Sequence, residues 1–330
     1  MSWLSDDAIF RLQTATALPD LSATRYRIVE RIASGGMGTV YLAEDSVLGR
    51  RVALKILDVP DTSGELAARL LREAKILARL EHPGIIPVHG AGTLADGRVF
   101  YAMKLVEGQR LDELVSRGES LPHRLRLFQR VCDAVAFAHA RKILHRDLKP
   151  ENIMVGPFGE VLVMDWGIAK SLRGGGSLDA AMEPNEGSLA RDTSDSAITA
   201  HGAILGTPGY MAPEQERGEV GSLDERSDVY SLGAILQYLL KTGLDSSANA
   251  PRPLAAIARK AMASNPADRY TSAGELGLDV ARYLDGLPVS AYPENIWRRA
   301  ARWAVRYRVA IVLVLTYLII RALLLLWFRR

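Results

Sequence analysis

Two opposite charges stand on stretches of chain that otherwise require burial, and together they fix which segments must meet. Lys55 lies in the run Arg51–Leu57, among Val52, Ala53, Leu54 and Ile56. Glu73 lies on one helical face with Leu66, Leu70, Ala74 and Leu77, at the spacing of an amphipathic helix. A lone lysine can lead its ammonium to the surface along its apolar stem. Two buried charges of opposite sign can instead satisfy each other. The strand and the helix are therefore expected to pack together with Lys55 and Glu73 paired.

The surrounding pattern sets the architecture. Tyr26–Ile32, Thr39–Glu44 and Arg51–Leu57 are short runs rich in apolar and β-branched residues, separated by Ser34-Gly35-Gly36 and Leu48-Gly49. They predict three antiparallel strands. Thr62-x-x-Glu65 has the form of a capping box before the Glu73 helix. Val99–Met103 predicts another strand. From about Leu111 the pattern turns helical, with Leu125, Phe128, Val131, Cys132 and Val135 on one stripe. A strand-rich part followed by a helix-rich part is an α+β, two-lobe layout. The 330 residues give room for two lobes and an appendage, at roughly 150 residues per domain. At 48% hydrophobic and 24% charged residues, the chain is neither disordered nor a polytopic membrane protein. Its one cysteine, Cys132, reads as a core residue and excludes a disulfide framework or a Cys-built zinc site.

The C-terminus differs from the rest. From Gly286 onward eight arginines face one acid, Glu294, so this tail carries +7 and residues 1–285 carry −4 of a net +3. The basic balance belongs to the tail, and no nucleic-acid partner is expected. Val309–Phe328 is twenty residues long, the length of a bilayer span. Arg321 near its middle costs about 3 kcal/mol, while its Val, Ile, Leu and Phe residues return about 0.3–0.6 kcal/mol each. Fourteen such residues outweigh one arginine. Arg298, Arg299, Arg302, Arg306 and Arg308, interleaved with Trp297, Trp303 and Tyr307, form a positive-inside flank with an aromatic belt. A single-pass anchor in the plasma membrane or cell inner membrane is expected, with the main domain in the cytoplasm. Met1–Asp7 lacks the basic and apolar regions of a targeting signal.

The chemistry lies in a set of polar residues in fixed order. Ala33-Ser34-Gly35-Gly36-Met37-Gly38-Thr39-Val40 follows the first strand. Glycines in such a turn let backbone N–H groups approach phosphate oxygens, although alone the pattern also fits a tight hairpin. His145-Arg146-Asp147-Leu148-Lys149-Pro150-Glu151-Asn152 comes next, then Asp165-Trp166-Gly167 after the apolar run Val161–Met164. The Asp165 carboxylate and the Asn152 amide oxygen are hard ligands suited to Mg²⁺. Asp147 can accept the proton of an attacking hydroxyl.

The glycine loop, Val52-Ala53-Leu54-Lys55, the His145–Asn152 run, Asp165-Trp166-Gly167 and Ala212-Pro213-Glu214 match in order the signature of protein kinases. Over about Tyr26–Leu284 the chain resembles a bacterial eukaryotic-type (Hanks-type) serine/threonine protein kinase. That resemblance implies the bilobal kinase fold, with ATP and Mg²⁺ (or Mn²⁺) between a β-rich N-lobe, 26–104, and a helical C-lobe, 105–285. Around these lobes lie an N-terminal extension, 1–25, the basic juxtamembrane segment, 286–308, and the transmembrane helix, 309–328, expected above. Within the C-lobe the 171–205 stretch, with Gly174-Gly175-Gly176, many Ser and Thr and almost no bulky apolar residues, is expected to be a flexible activation-segment insertion. Gly35, Gly36 and Gly38 would cover the phosphates, and Lys55, oriented by Glu73, would hold them. Asp147 would be the catalytic base, with Lys149 near the transferred group and Asn152 and Asp165 on the metal. Ile32, Val40, Ala53, Met103 and Met154 would pack the adenine, with Lys104–Glu107 as the hinge. Glu214 would pair with Arg269, and Asp228 would anchor the catalytic-loop backbone. His145 would be a packing residue.

The implied activity is γ-phosphoryl transfer to Ser/Thr hydroxyls of protein substrates, with trans-autophosphorylation in a homodimer. Arg146 would bind a phosphate on the activation segment, where Ser188, Thr193, Ser194, Ser196 and Thr199 are candidate acceptors. Ala33 in place of the first loop glycine, Trp166 in place of the usual phenylalanine, the 49 residues from Asp165 to Glu214 and the short Lys241–Leu254 connection depart from the pattern. Ala33 and the short connection favour an alternative, a pseudokinase scaffold that binds nucleotide and partners without efficient transfer. The intact set Lys55, Glu73, Asp147, Asn152 and Asp165 favours the enzyme.

Overall fold

The computed structural model describes residues 18–35, 38–58, 64–166, 209–219, 223–241, 250–293 and 307–328. Within the C-terminal helix, 308–328, side chains are described at 312–321 and 327. Gly36, Thr62, Gly167, the 171–205 insertion with its five candidate acceptors, Thr207 and Pro208, the span 242–249 of the short connection and 294–306 of the juxtamembrane segment lie outside the described residues.

A five-stranded antiparallel sheet of order β1-β2-β3-β5-β4 opens the chain: β1 Tyr26–Gly35, β2 Gly38–Asp45, β3 Arg50–Ile56, β4 Val88–Thr93 and β5 Val99–Lys104. Strand β3 is buried on both faces, which explains its nearly continuous apolar run. Val52, Leu54 and Ile56 join Leu21, Tyr26, Tyr41 and Phe100 on one side. Ala53 faces the other side, toward the core that contains Leu70, Ala74 and Leu77. Helix α1, Glu65–Arg79, buries Leu70, Glu73, Ala74 and Leu77 and packs on β5 and β4.

Two details differ from the sequence reading. Gly64 caps α1, with no side-chain cap bond, so Glu65 is the first helical residue rather than the third position of a capping box. Leu66 is 40% exposed, because the packed face of this short helix begins one turn later, at Leu70.

The helical part follows. Strand β6, Gln109–Arg110, leads into α2, Leu111–Ser116, and the long α3, Leu121–Ala140. Leu125, Phe128, Val131, Cys132 and Val135 of α3 are fully buried, so the free Cys132 is a core residue. Strands β7, Ile153–Val155, and β8, Val161–Val163, complete a small antiparallel sheet with β6. Then come α4, Pro213–Glu216, α5, Glu225–Lys241, α6, Arg252–Ala261, and α7, Ala273–Leu284. Helix α3 packs against α5, α7 and β8. Gly233 is required where α5 crosses α6: a Cβ there would lie 2.7 Å from the Ala261 Cβ. The same core cluster runs from Ala53 and Leu70 to Leu276 and Val280, so the sheet and the helices share one interior.

The segment after α7 is tied back by a buried carboxylate. Asp279 accepts hydrogen bonds from Tyr270 OH (2.8 Å), Ser290 N (2.8 Å), Ser290 Oγ (2.7 Å) and Ala291 N (3.1 Å). Burial pushes its carboxyl up, but the donors of Ser290 and Tyr270 hold it below the usual carboxylate range.

Helix α8, Arg308–Phe328, contains the apolar run singled out in the sequence. Among the described residues no helix is long and apolar enough to cross a membrane.

Candidate active site

Strand pairing places the first group. Val40 of β2 stands opposite Lys55 of β3, and Lys55 stands opposite Tyr101 of β5. Directly opposed residues share a sheet face, so Lys55 and Tyr101 both turn toward α1. There the Lys55 Nζ lies 2.9 Å from Glu73 Oε1 and 3.2 Å from Oε2. Tyr101 OH donates to the same Oε1 at 2.8 Å. The sequence-predicted pair is thus formed, with a third member that sequence reading missed. Lys55 Nζ also lies 3.8 Å from Asp165 Oδ1, and the Asp165 side chain is 60% exposed. The lysine therefore bridges a buried carboxylate and an open one.

The second group is a loop. Asp147 Oδ2 receives Lys149 Nζ at 3.0 Å and Asn152 Nδ2 at 3.3 Å. Asn152 Nδ2 also donates to Asp147 O at 2.8 Å. These bonds commit the amide nitrogen and leave Oδ1 as the group on offer to a cation. Met164 N donates to Asn152 O at 2.9 Å, which sets the residue preceding Asp165 against Asn152. The Asp147 loop and the segment leading to Asp165 are thereby tied together.

This loop carries backbone strain. Arg146 and Asp165 adopt φ of 69° and 55°, a region that costs non-glycine residues roughly 1–2 kcal/mol. Asp228 of α5, fully buried, offsets it from below. Its Oδ2 accepts from His145 N and His139 Nε2, and its Oδ1 from Arg146 N, each at 2.8 Å. Burial alone would raise the Asp228 carboxyl, but the His139 bond and the two histidines keep it lowered. Burial also lowers the His145 imidazole. Its ring lies 4.7 Å from that of Trp166 and its Nε2 donates to Met164 O at 2.8 Å, so it packs. Trp166 is fully buried, with Nε1 donating to Val163 O at 3.1 Å. The indole fills an interior position and supplies its own hydrogen-bond partner.

A third tie holds the far side. Arg269 grips Glu214 in a fork, 2.6 Å to Oε1 and 2.8 Å to Oε2. Burial pushes the Glu214 carboxyl up, but the Arg269 bonds lower it on balance. Gln215 Nε2 donates to Arg146 O at 3.1 Å, joining α4 to the Asp147 loop.

The adenine-packing candidates are distributed less evenly. Ala53 and Met103 are cross-strand partners and both buried, while Val40 and Met154 are half-buried. Ile32 is 49% exposed, because β1 is an edge strand whose register shifts between Arg31 and Ala33. Gly38 lies where a Cβ would sit 2.3 Å from Ile56 O, so the loop can come this close to β3 only with glycine. Gly35 stands opposite Gly38 in the hairpin register.

The donor set suits a magnesium nucleotide. Among the described residues no cluster of three or more His, Cys, Asp or Glu forms a metal site by itself. A carboxylate and an amide oxygen beside a lysine fit an ion that keeps waters and takes its remaining ligands from phosphates.

Comparison with known proteins identifies the family. The protein kinase domain family model matches residues 26–264. Serine/threonine-protein kinase PknD of Chlamydia trachomatis is 39% identical over 307 residues, covering 80% of this chain and 32% of that protein. PknD of Protochlamydia amoebophila is 35% identical over 320 residues, covering 82% of this chain and 31% of the relative. The chain thus spans about a third of the length of these relatives. Two crystal structures of the Mycobacterium tuberculosis PknI kinase domain superpose with TM-scores of 0.54 and 0.55, at 26% and 25% identity. They cover 79% and 80% of this chain and 96% and 97% of those domains. The chain belongs to the protein kinase family, in which its relatives are bacterial serine/threonine-protein kinases.

Proposed function

We propose that this chain transfers the γ-phosphoryl group of ATP to Ser and Thr hydroxyls of proteins, its own included, from a position on the cytoplasmic face of the membrane. The observation that carries the reading is Lys55 bridging Glu73 and Asp165, beside an Asp147 held by Lys149 and Asn152. In this reading Lys55 holds the α/β-phosphates and Glu73 keeps it there. Asn152 and Asp165 hold Mg²⁺, which neutralises charge on the phosphates when bound. Asp147 orients the acceptor hydroxyl and takes its proton, while Lys149 balances the developing negative charge. Ala53 and Met103 line the adenine end. Catalysis is then mostly positioning and electrostatics.

The full chain is expected to incorporate label from γ-labelled ATP and Mg²⁺ into its own Ser/Thr residues and into a generic protein acceptor. Phosphoamino-acid analysis reads the result. If no label appears with Mg²⁺ or Mn²⁺, the scaffold reading favoured by Ala33 takes its place. Autophosphorylation between copies predicts that the initial rate rises with the square of enzyme concentration.

For the C-terminus we propose a single membrane span, Val309–Phe328. The support lies in the sequence, where fourteen Val, Ile, Leu and Phe residues in this stretch outweigh Arg321. Val312, Leu315, Leu318 and Ile319 stand exposed on helix α8, and the arginine-rich flank precedes it. The full chain should sediment with membranes and stay there through carbonate extraction. Recovery in the supernatant would end the anchor proposal and leave the kinase reading intact.

A further inference from the structure

We infer that Tyr101 is a positioning residue for phosphoryl transfer, its hydroxyl holding Glu73 in the ion pair with Lys55. The inference rests on the reading of the chain as an active kinase and assigns a task within it to a residue outside the motifs.

Three observations carry it. First, Glu73 is 2% exposed, so its carboxylate needs partners inside the protein. Its Oε1 has two, Lys55 Nζ at 2.9 Å and Tyr101 OH at 2.8 Å. Second, the two donors differ in kind. Lys55 ends a flexible four-carbon stem and also faces Asp165 at 3.8 Å, on the side where phosphate would lie. Tyr101 is a planar side chain 2% exposed, fixed by its register opposite Lys55 on β5. Third, the hydroxyl remains a donor across the working pH range. Burial first, and then the nearby Glu73 and Asp165 charges, raise the phenol well above its ordinary value.

The consequence concerns α1. If Lys55 were the single donor to Glu73, each excursion of the ammonium toward phosphate would leave a buried carboxylate uncompensated and would favour withdrawal of α1 from the sheet. A hydroxyl fixed on β5 keeps one bond to Glu73 throughout. The helix stays seated, and Lys55 is free to share its remaining N–H donors. Tyr101 does this without touching nucleotide or acceptor.

Tyr101→Phe removes the oxygen and keeps the ring. It should lower kcat/KM for ATP by about tenfold, the scale of one hydrogen bond to a charged group, while thermal unfolding moves by no more than about 3 °C. In a Glu73→Ala background the same change should have less than a twofold effect, because the hydroxyl has lost the group it holds. A tenfold loss in both backgrounds, wild-type kinetics in the single variant, or an unfolding shift large enough to explain the loss would overturn the assignment. If the unaltered chain transfers no phosphate, the proposed function fails and the positioning claim is read separately by calorimetric titration with MgADP. Affinity about tenfold weaker in Tyr101→Phe then supports it, and equal affinity refutes it.

Discussion

Asp147→Asn is expected to lower phosphoryl transfer by about 10²–10⁴-fold, the range for losing a positioned general base, with the fold intact. The side chain is partly open to solvent, and its partners are Lys149 Nζ at 3.0 Å and Asn152 Nδ2 at 3.3 Å. An amide of the same shape can still accept one of these bonds through its oxygen. It cannot carry the negative charge that balances Lys149, and it cannot take a proton from an attacking hydroxyl. The bond from Asn152 to the Asp147 main-chain oxygen survives, so the loop keeps its path. Initial rates of label incorporation, with circular-dichroism melts of both proteins, test this. A rate within threefold of the unaltered enzyme would remove Asp147 from the role of base.

Asp228→Ala is expected to be the most damaging change to stability. Asp228 is fully buried and accepts three bonds, two from consecutive backbone N–H groups. Alanine leaves those donors and the His139 ring without an acceptor in an interior that water does not reach. Removing one partner from a buried charged network costs about 3–5 kcal/mol. It also releases Arg146 from its φ of 69°, so the Asp147 loop should lose its shape before the protein unfolds globally. Urea denaturation should show the lost stability, and activity should fall even at low temperature. A loss under about 1 kcal/mol would mean that the loop is held by other contacts.

The same carboxylate makes an acid-side prediction part of this result. The folded Asp228 carboxyl titrates below its ordinary value of 3.8. A carboxyl with a lowered folded pKa binds fewer protons when folded, so it contributes stability in full above the unfolded pKa. That contribution disappears as pH falls from about 4 through the folded value. Asp228→Ala should therefore lose less relative stability at pH 3 than at pH 7.

Much of the candidate site was legible because its chemistry contradicts its surroundings. Lys55 interrupts an apolar strand and Glu73 an apolar helix face, and the structure pairs them. Burial of Cys132 and the α3 stripe followed from helical spacing alone. Strand β4 escaped notice because Val88-His89-Gly90-Ala91-Gly92-Thr93 has little apolar alternation. Its pairing with β5 supplies what its side chains do not. The helix start was placed differently because the capping pattern Thr62-x-x-Glu65 is local, whereas α1 begins at Glu65 after Gly64, whose φ of 73° is open to glycine at little cost.

Tyr101 shows the remaining limit. In the sequence it is one more aromatic residue in a strand, indistinguishable from its neighbour Phe100. Register decides that Tyr101 faces Glu73 while Phe100 joins the opposite core with Tyr26. The sequence by itself determined the ordered polar residues, the two-lobe division and the burial of the helical stripes, because these follow from local spacing and from the cost of isolated charge. Only the tertiary structure decided which groups share an atom: Tyr101 and Lys55 on Glu73 Oε1, His139 and the loop amides on Asp228, Tyr270 and Ser290 on Asp279. Such bonds form between residues up to 89 positions apart, and hydrogen-bond geometry at about 3 Å is set by strand register and helix packing, which no local pattern encodes.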